Sequence, residues 1–134
     1  MPNRIVQEWI SFAHRDLDAA RALGKLPNQE ATSCFHAQQA AEKALKACFA
    51  AEGLTPPKTH DLDVLRETSR FRNKLAQVTE ACAVLTMYSV DSRYPGAHIE
   101  AEEVQPAIAY AEDVIRTVQA ILEGLNSEAP GNAD

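Results

Sequence analysis

Nothing in this chain of 134 residues approaches the ~20 consecutive apolar residues that a membrane-spanning helix needs, so no membrane association is expected. Glycine is scarce, with five residues, and none builds a phosphate-cradling loop motif. A serine-nucleophile motif is also missing. The three cysteines, Cys34, Cys48 and Cys82, show neither a CxxC pair nor the Cys/His spacing of a zinc site. Neither a metal nor another cofactor is therefore expected. Cys34 and Cys48 fall on one predicted helix, about 21 Å apart at 1.5 Å per residue, too far to bridge. All three read as buried free thiols. No segment alternates apolar and polar residues with the two-residue period of a half-buried strand.

Positive charge is nearly absent from the last quarter. From Glu100 onward only Arg116 stands against eight acids, and the net charge of the chain is −6. A general nucleic-acid coat is excluded by that balance. The remainder is close to neutral, and Lys58, Arg66, Arg70, Arg72 and Lys74 gather between residues 58 and 74 as a local basic stretch. Met1-Pro2-Asn3-Arg4 lacks the apolar core of a signal peptide and leads straight into an amphipathic pattern, which predicts a cytoplasmic protein.

What the chain has in abundance is helical periodicity. Val6, Ile10, Ala13, Leu17 and Ala20 recur every three or four residues, until Gly24 and Pro27 stop the pattern. A second helix is predicted from about Glu30 to Glu52, capped by Gly53 and rich in alanine, so that neighbours can approach closely. Thr55-Pro56-Pro57-Lys58 is an extended connector. Thr59 is then the expected cap of a short helix through Leu62 and Leu65, ending near Ser69. Leu75, Val78, Cys82 and Leu85 predict a third long helix. Val104, Ile108, Ala111, Ile115, Val118, Leu122 and Leu125 predict the last, starting between Glu102 and Gln105 because of Pro106. The expected fold is all-α: an antiparallel four-helix up-and-down bundle over residues 1–125, with a short extra helix before the third long one. Residues 126–134 are small and polar and are expected to form a disordered tail.

One polar break carries most of the candidate chemistry. Asp91-Ser92-Arg93-Tyr94-Pro95-Gly96-Ala97-His98 places an arginine and a histidine with four residues between them. Arg93 can grip a phosphate with two prongs and never loses its proton. His98 can take a proton from an attacking hydroxyl or return one to a leaving oxygen. Tyr94 can stack on a base or ribose, or simply cover the bundle end. The competing reading makes Tyr94-Pro95-Gly96 a turn and the whole break a connector. His60 either joins this site or belongs to a Thr59-His60-Asp61 helix start. Gln38, Gln39, Glu42, Lys43 and Lys46 form a further polar group; Gln38 lies near the apolar stripe and needs a partner if buried. His36 shows no evident partner and reads as surface.

Cys34-Phe35-His36-Ala37-Gln38-Gln39-Ala40-Ala41-Glu42-Lys43-Ala44-Leu45-Lys46-Ala47, followed by Thr59-His60-Asp61-Leu62 and Ser92-Arg93-Tyr94-Pro95, resembles the HEPN domain family in order and spacing. The resemblance implies a small helical bundle that forms a homodimer, often the partner of a minimal nucleotidyltransferase in toxin–antitoxin modules. It also implies nucleotide or RNA binding, for which Arg93, Tyr94, His60 and Lys43 are the candidates. Many relatives are metal-independent endoribonucleases with an Arg-x4–6-His motif, which Arg93 and His98 match. Three functional classes thus stand: a nucleotidyltransferase partner binding a nucleotide or RNA phosphate, a ribonuclease, and a purely structural dimerisation module.

Overall fold

In the computed structural model, residues 3–89 and 98–127 are described, and every regular element among them is helical. Three long helices dominate: α1 (Arg4–Leu23), α2 (Glu30–Ala51) and α6 (Val104–Ser127). Between α2 and α6 come three short ones, α3 (Leu62–Glu67), α4 (Arg72–Leu75) and α5 (Thr79–Thr86).

The Asn3 side chain accepts the Ile5 amide at 2.8 Å and so opens α1, the usual service of an N-cap. Val6, Ala13, Leu17 and Ala20 are buried, as their spacing predicts. The chain leaves α1 at Gly24, where a side chain would be tightly crowded. A β-carbon there would lie 3.0 Å from Val104 Cγ1 and 3.2 Å from the Ala20 carbonyl. The missing side chain therefore lets the end of α1 meet the start of α6.

α2 is the axis of the molecule. Cys34, Ala37, Ala40, Ala41, Ala44, Leu45 and Cys48 are fully buried in the main core, and Ala47 and Ala50 are buried against Val6 and Trp9. Six of the eight alanines of α2 are thus buried inside the chain, packing it against its neighbours. Antiparallel α1 is tied to α2 along its length. Ser33 Oγ donates to the Ala20 carbonyl at 2.8 Å near one end, and Asn3 Nδ2 reaches the Ala50 carbonyl at 3.4 Å near the other. Gly53 follows α2 at φ 73, the left-handed conformation that glycine adopts without penalty.

The third long helix expected from the sequence is not continuous. Leu75, Val78, Cys82 and Leu85 are all buried, so the stripe is right. The backbone nevertheless passes from α4 through a 3-10 turn at Ala76–Val78 before α5 begins. Thr79 Oγ1 donates to the Ala76 carbonyl at 2.6 Å, and Gln77 Nε2 donates to the Lys74 carbonyl at 3.0 Å. Local side-chain bonds of this kind compete with the α-helical ladder. The cap of α3 also differs: Asp61, not Thr59, accepts the amides of Asp63 and Val64. Thr59 instead accepts the Asp61 amide at 3.1 Å, one step earlier.

At the last helix, Glu100 and Glu103 form a reciprocal capping box around a 3-10 turn at Ala101–Glu103. Val104, Ile108, Ala111, Ile115 and Val118 are buried, and Leu122 and Leu125 pack at the core's margin. Helix α6 runs to Ser127, past the point where the expected tail begins; residues 128–134 lie outside the described residues.

Cys34, Cys48 and Cys82 are free and buried, and burial pushes each thiol up to about 12. Native protein should react slowly with a thiol reagent at pH 8, and denatured protein should titrate three thiols. Rapid native labelling of Cys48, near the C-terminal end of α2, would show that this end opens readily.

Candidate functional site

His98 stands a few residues before α6. Its ring is exposed, and Nε2 lies 3.0 Å from Glu100 Oε1. Glu100 is itself held, because its side chain accepts the Glu103 amide while its own amide donates to Glu103 Oε2 at 2.9 Å. Glu103 Oε1 accepts the hydroxyl of buried Tyr88 at 2.7 Å. Burial and the carboxylate beside it both push the Tyr88 hydroxyl up, so it stays protonated and a donor. A continuous chain of contacts thus runs from His98 through Glu100 and Glu103 to Tyr88. It ties together the two sides of the segment 90–97. Arg93 and Tyr94 belong to that segment and lie outside the described residues.

A carboxylate that fixes one imidazole nitrogen leaves the other free to accept a proton, the arrangement a general base needs. With its ring exposed, His98 is open to a phosphate arriving from solvent.

Two further polar clusters lie along α2, each built around one shielded carboxylate. Asp16 of α1 accepts from His36 Nδ1 at 2.9 Å and from Lys43 Nζ at 2.5 Å. His36 is therefore half-buried and paired, contrary to its expectation as a surface residue. Its partner is on another helix, 20 residues away, which no local pattern reveals. Lys43 is committed to Asp16 and lies 6.0 Å from the centre of the Phe12 ring. Its charge is neutralised where it sits, which weakens it as a phosphate ligand.

Glu42 is the second centre. Its side chain is 6% exposed and receives four donors. Oε1 accepts from Gln38 Nε2 at 3.2 Å, Gln39 Nε2 at 3.3 Å and His60 Nδ1 at 2.9 Å, while Oε2 accepts from Lys46 Nζ at 3.0 Å. Burial alone would raise the carboxyl pKa, but the bonds from His60, Lys46 and Gln38 outweigh it and hold the group below its ordinary value. Gln38, fully buried, also donates to the His60 carbonyl at 3.0 Å. The partner that its burial requires is therefore the connector itself. His60 is bonded to Glu42, and no described contact joins it to His98. The Leu62 amide does bond Thr86 Oγ1 at 3.0 Å, which sets this connector beside the end of α5. Among the described residues no group of three His, Cys, Asp or Glu side chains is placed to hold a metal ion.

An all-helical chain with a buried Gln38–Glu42 pair on its central helix, a connector His60 bonded to it and an Arg-x4-His segment before the last helix defines a class of small helical domains. A family model described as HEPN domain matches residues 6–121, and the chain belongs to that family. Two solved structures are similar throughout. The crystal structure of TT1696 from Thermus thermophilus superposes with a TM-score of 0.75 at 29% identity, covering 86% of this chain and 96% of that one. The crystal structure of ST0689, an archaeal HEPN homologue, gives 0.70 at 25% identity, covering 91% and 99%. Comparison with curated proteins found no match.

The Glu42 network has a signed pH dependence. A carboxylate held below its ordinary 4.5 contributes stability that is complete above that value and is lost as the pH falls through the lower folded value. Glu42→Ala leaves Lys46 without its acceptor and removes one of the two acceptors of Gln38, and should cost about 3 kcal/mol, the usual size for breaking a buried pair. Urea unfolding at pH 7 checks this. Glu42→Gln should lose less and should flatten the acid limb of the stability profile.

Proposed function

We propose that the protein recognises a nucleotide or RNA phosphate at the segment between α5 and α6, as the dimeric partner of a minimal nucleotidyltransferase in a toxin–antitoxin type module. The observation that supports this reading is the orientation of His98 by Glu100, immediately after the segment that carries Arg93. The capping box holds the imidazole at the edge of that segment, and Arg93 supplies the permanent cation that a phosphate needs. Family membership supports a dimer, in which two such segments can face each other.

The same geometry favours one further reading. A carboxylate-oriented histidine with an arginine just before it in the chain suffices for transesterification by a ribose 2′-hydroxyl. His98 would take the hydroxyl proton, and Arg93 would stabilise the charge that develops on the phosphate. Water gives the departing 5′-oxygen its proton, His98 returns the proton it took to solvent, and a 2′,3′-cyclic phosphate remains. No metal enters that scheme.

Purified protein should run as a dimer near twice the 14.7 kDa chain mass in light scattering, and a clean monomer at micromolar concentration would remove the shared-site arrangement. With RNA in the presence of EDTA, the ribonuclease reading expects cyclic phosphate ends and a rate that falls about 100-fold or more in His98→Ala. Arg93→Ala should be at least as damaging. Unchanged cleavage in His98→Ala would leave the binding reading alone, with salt-sensitive nucleotide affinity lost in Arg93→Ala. If Arg93→Ala also binds as well as wild type, the segment is only a connector.

A further inference from the structure

Among the described residues several cations hold no carboxylate: Lys25 and Lys58 stand apart from one another, while three more gather at one turn. Among the described residues, Arg4, Arg21, Lys43, Lys46, Arg66 and Arg116 each hold a carboxylate. Arg15 lies over the Phe12 ring instead. Arg70, Arg72 and Lys74 are exposed, make no ion pair with a described residue, and fall within five residues of one another between α3 and the end of α4.

The acids nearest in sequence are already engaged. Asp63 and Glu67 face Arg66, and Glu80 accepts the Tyr110 hydroxyl at 2.6 Å. The turn is also stiff. Ser69, Phe71 and Leu75 are buried, Ser69 Oγ accepts the Phe71 amide at 3.1 Å, and the Arg72 amide bonds the Ser69 carbonyl at 3.1 Å. Buried anchors at 69, 71 and 75 leave 70, 72, 73 and 74 facing solvent. Arg70 is further steadied over the Phe71 ring at 5.4 Å. Like charges held this close repel one another, and an uncommitted surface would disperse or pair them.

We propose that this turn is a docking platform for the phosphate backbone of single-stranded RNA. It rests on the RNA reading above. The outward residues are two arginines, an asparagine and a lysine, with no apolar or aromatic side chain among them. A protein partner would find no apolar centre there, whereas protein interfaces are built around a hydrophobic core with a polar rim. A phosphate backbone needs only cations and hydrogen-bond donors, which is what the turn presents. Its contacts carry no base preference. They set affinity and register, and they explain how a chain with net charge −6 can hold a polyanion locally.

The test is the salt dependence of binding. Full-length wild type, Arg70→Ala/Arg72→Ala/Lys74→Ala and Arg70→Lys/Arg72→Lys are titrated with labelled oligouridylate and, separately, with UMP. Counterion release gives a slope of about −0.7 per phosphate contact on single strands. The alanine triple should therefore bind the oligomer about tenfold or more weakly at low salt, with a slope shallower by about two. The lysine double should keep most of the affinity, since a point charge still meets a phosphate. UMP, with a single phosphate, should lose little in either. Circular dichroism checks that the fold is retained. An alanine triple with unchanged affinity and slope overturns the platform, as does a wild type that does not bind the oligomer. A lysine double as weak as the triple overturns the backbone-phosphate mode. Loss of UMP and oligomer binding in Arg93→Ala tests the other reading separately, so failure of either leaves the other measurable.

Discussion

A carboxylate buried in an alanine-lined helix has to be matched donor by donor, and the matching of Glu42 decides where the chain runs after α2. Water is excluded from a side chain that is 6% exposed, so an unmatched charge there would cost several kcal/mol. Gln38, Gln39 and Lys46 supply three donors from the same helix, and His60 supplies the fourth from the connector. Because Gln38 also takes the His60 carbonyl, both the backbone and the ring of that residue are fixed against α2. The start of α3, the Leu62–Thr86 bond and the direction in which α5 ends all follow from that docking. A pair spaced four residues apart would contribute little on an exposed helix. Here its burial makes it an organising contact between two parts of the chain.

The candidate phosphate-facing chemistry sits at the opposite kind of position. His98 is exposed, and its order comes from a helix cap and not from burial. The capping box of α6 therefore has two tasks, satisfying the first amides of the helix and aiming an imidazole. Charge is distributed in the same spirit. Lysines on α2 are neutralised by Asp16 and Glu42, so the central face along α1 and α2 is polar and paired. A cluster of uncompensated cations lies on the α3–α4 turn instead.

Much of this is legible in the chain itself. The stripes of α1, α2 and α6 are periodic over many turns, and burial follows them closely. Gln38 stands out because a glutamine near an alanine stripe needs a partner, although the spacing does not say that the partner is His60. The third long helix misleads because Leu75, Val78, Cys82 and Leu85 keep helical spacing even though a threonine hydroxyl and a glutamine amide divert the backbone between them. Thr59 and Asp61 are both good caps, and only the docking of His60 selects the second. His36 is unreadable for a simpler reason: its acid lies on α1, and pairing between helices leaves no mark on either one alone. The roles of Arg93 and Tyr94 rest on the sequence, since those residues lie outside the described part of the chain.

The bond between Tyr88 and Glu103 closes a ring of chain around residues 90–97. Its effect is on evolutionary freedom. Once two anchor points are pinned to the core, the entropic cost of closing the chain between them grows only logarithmically with its length. Doubling that length costs about 0.6 kcal/mol. Insertions, deletions and wholesale replacement of the intervening residues are therefore cheap so long as the tyrosine and the glutamate remain. A domain built this way can exchange one connecting segment for another without renegotiating its core.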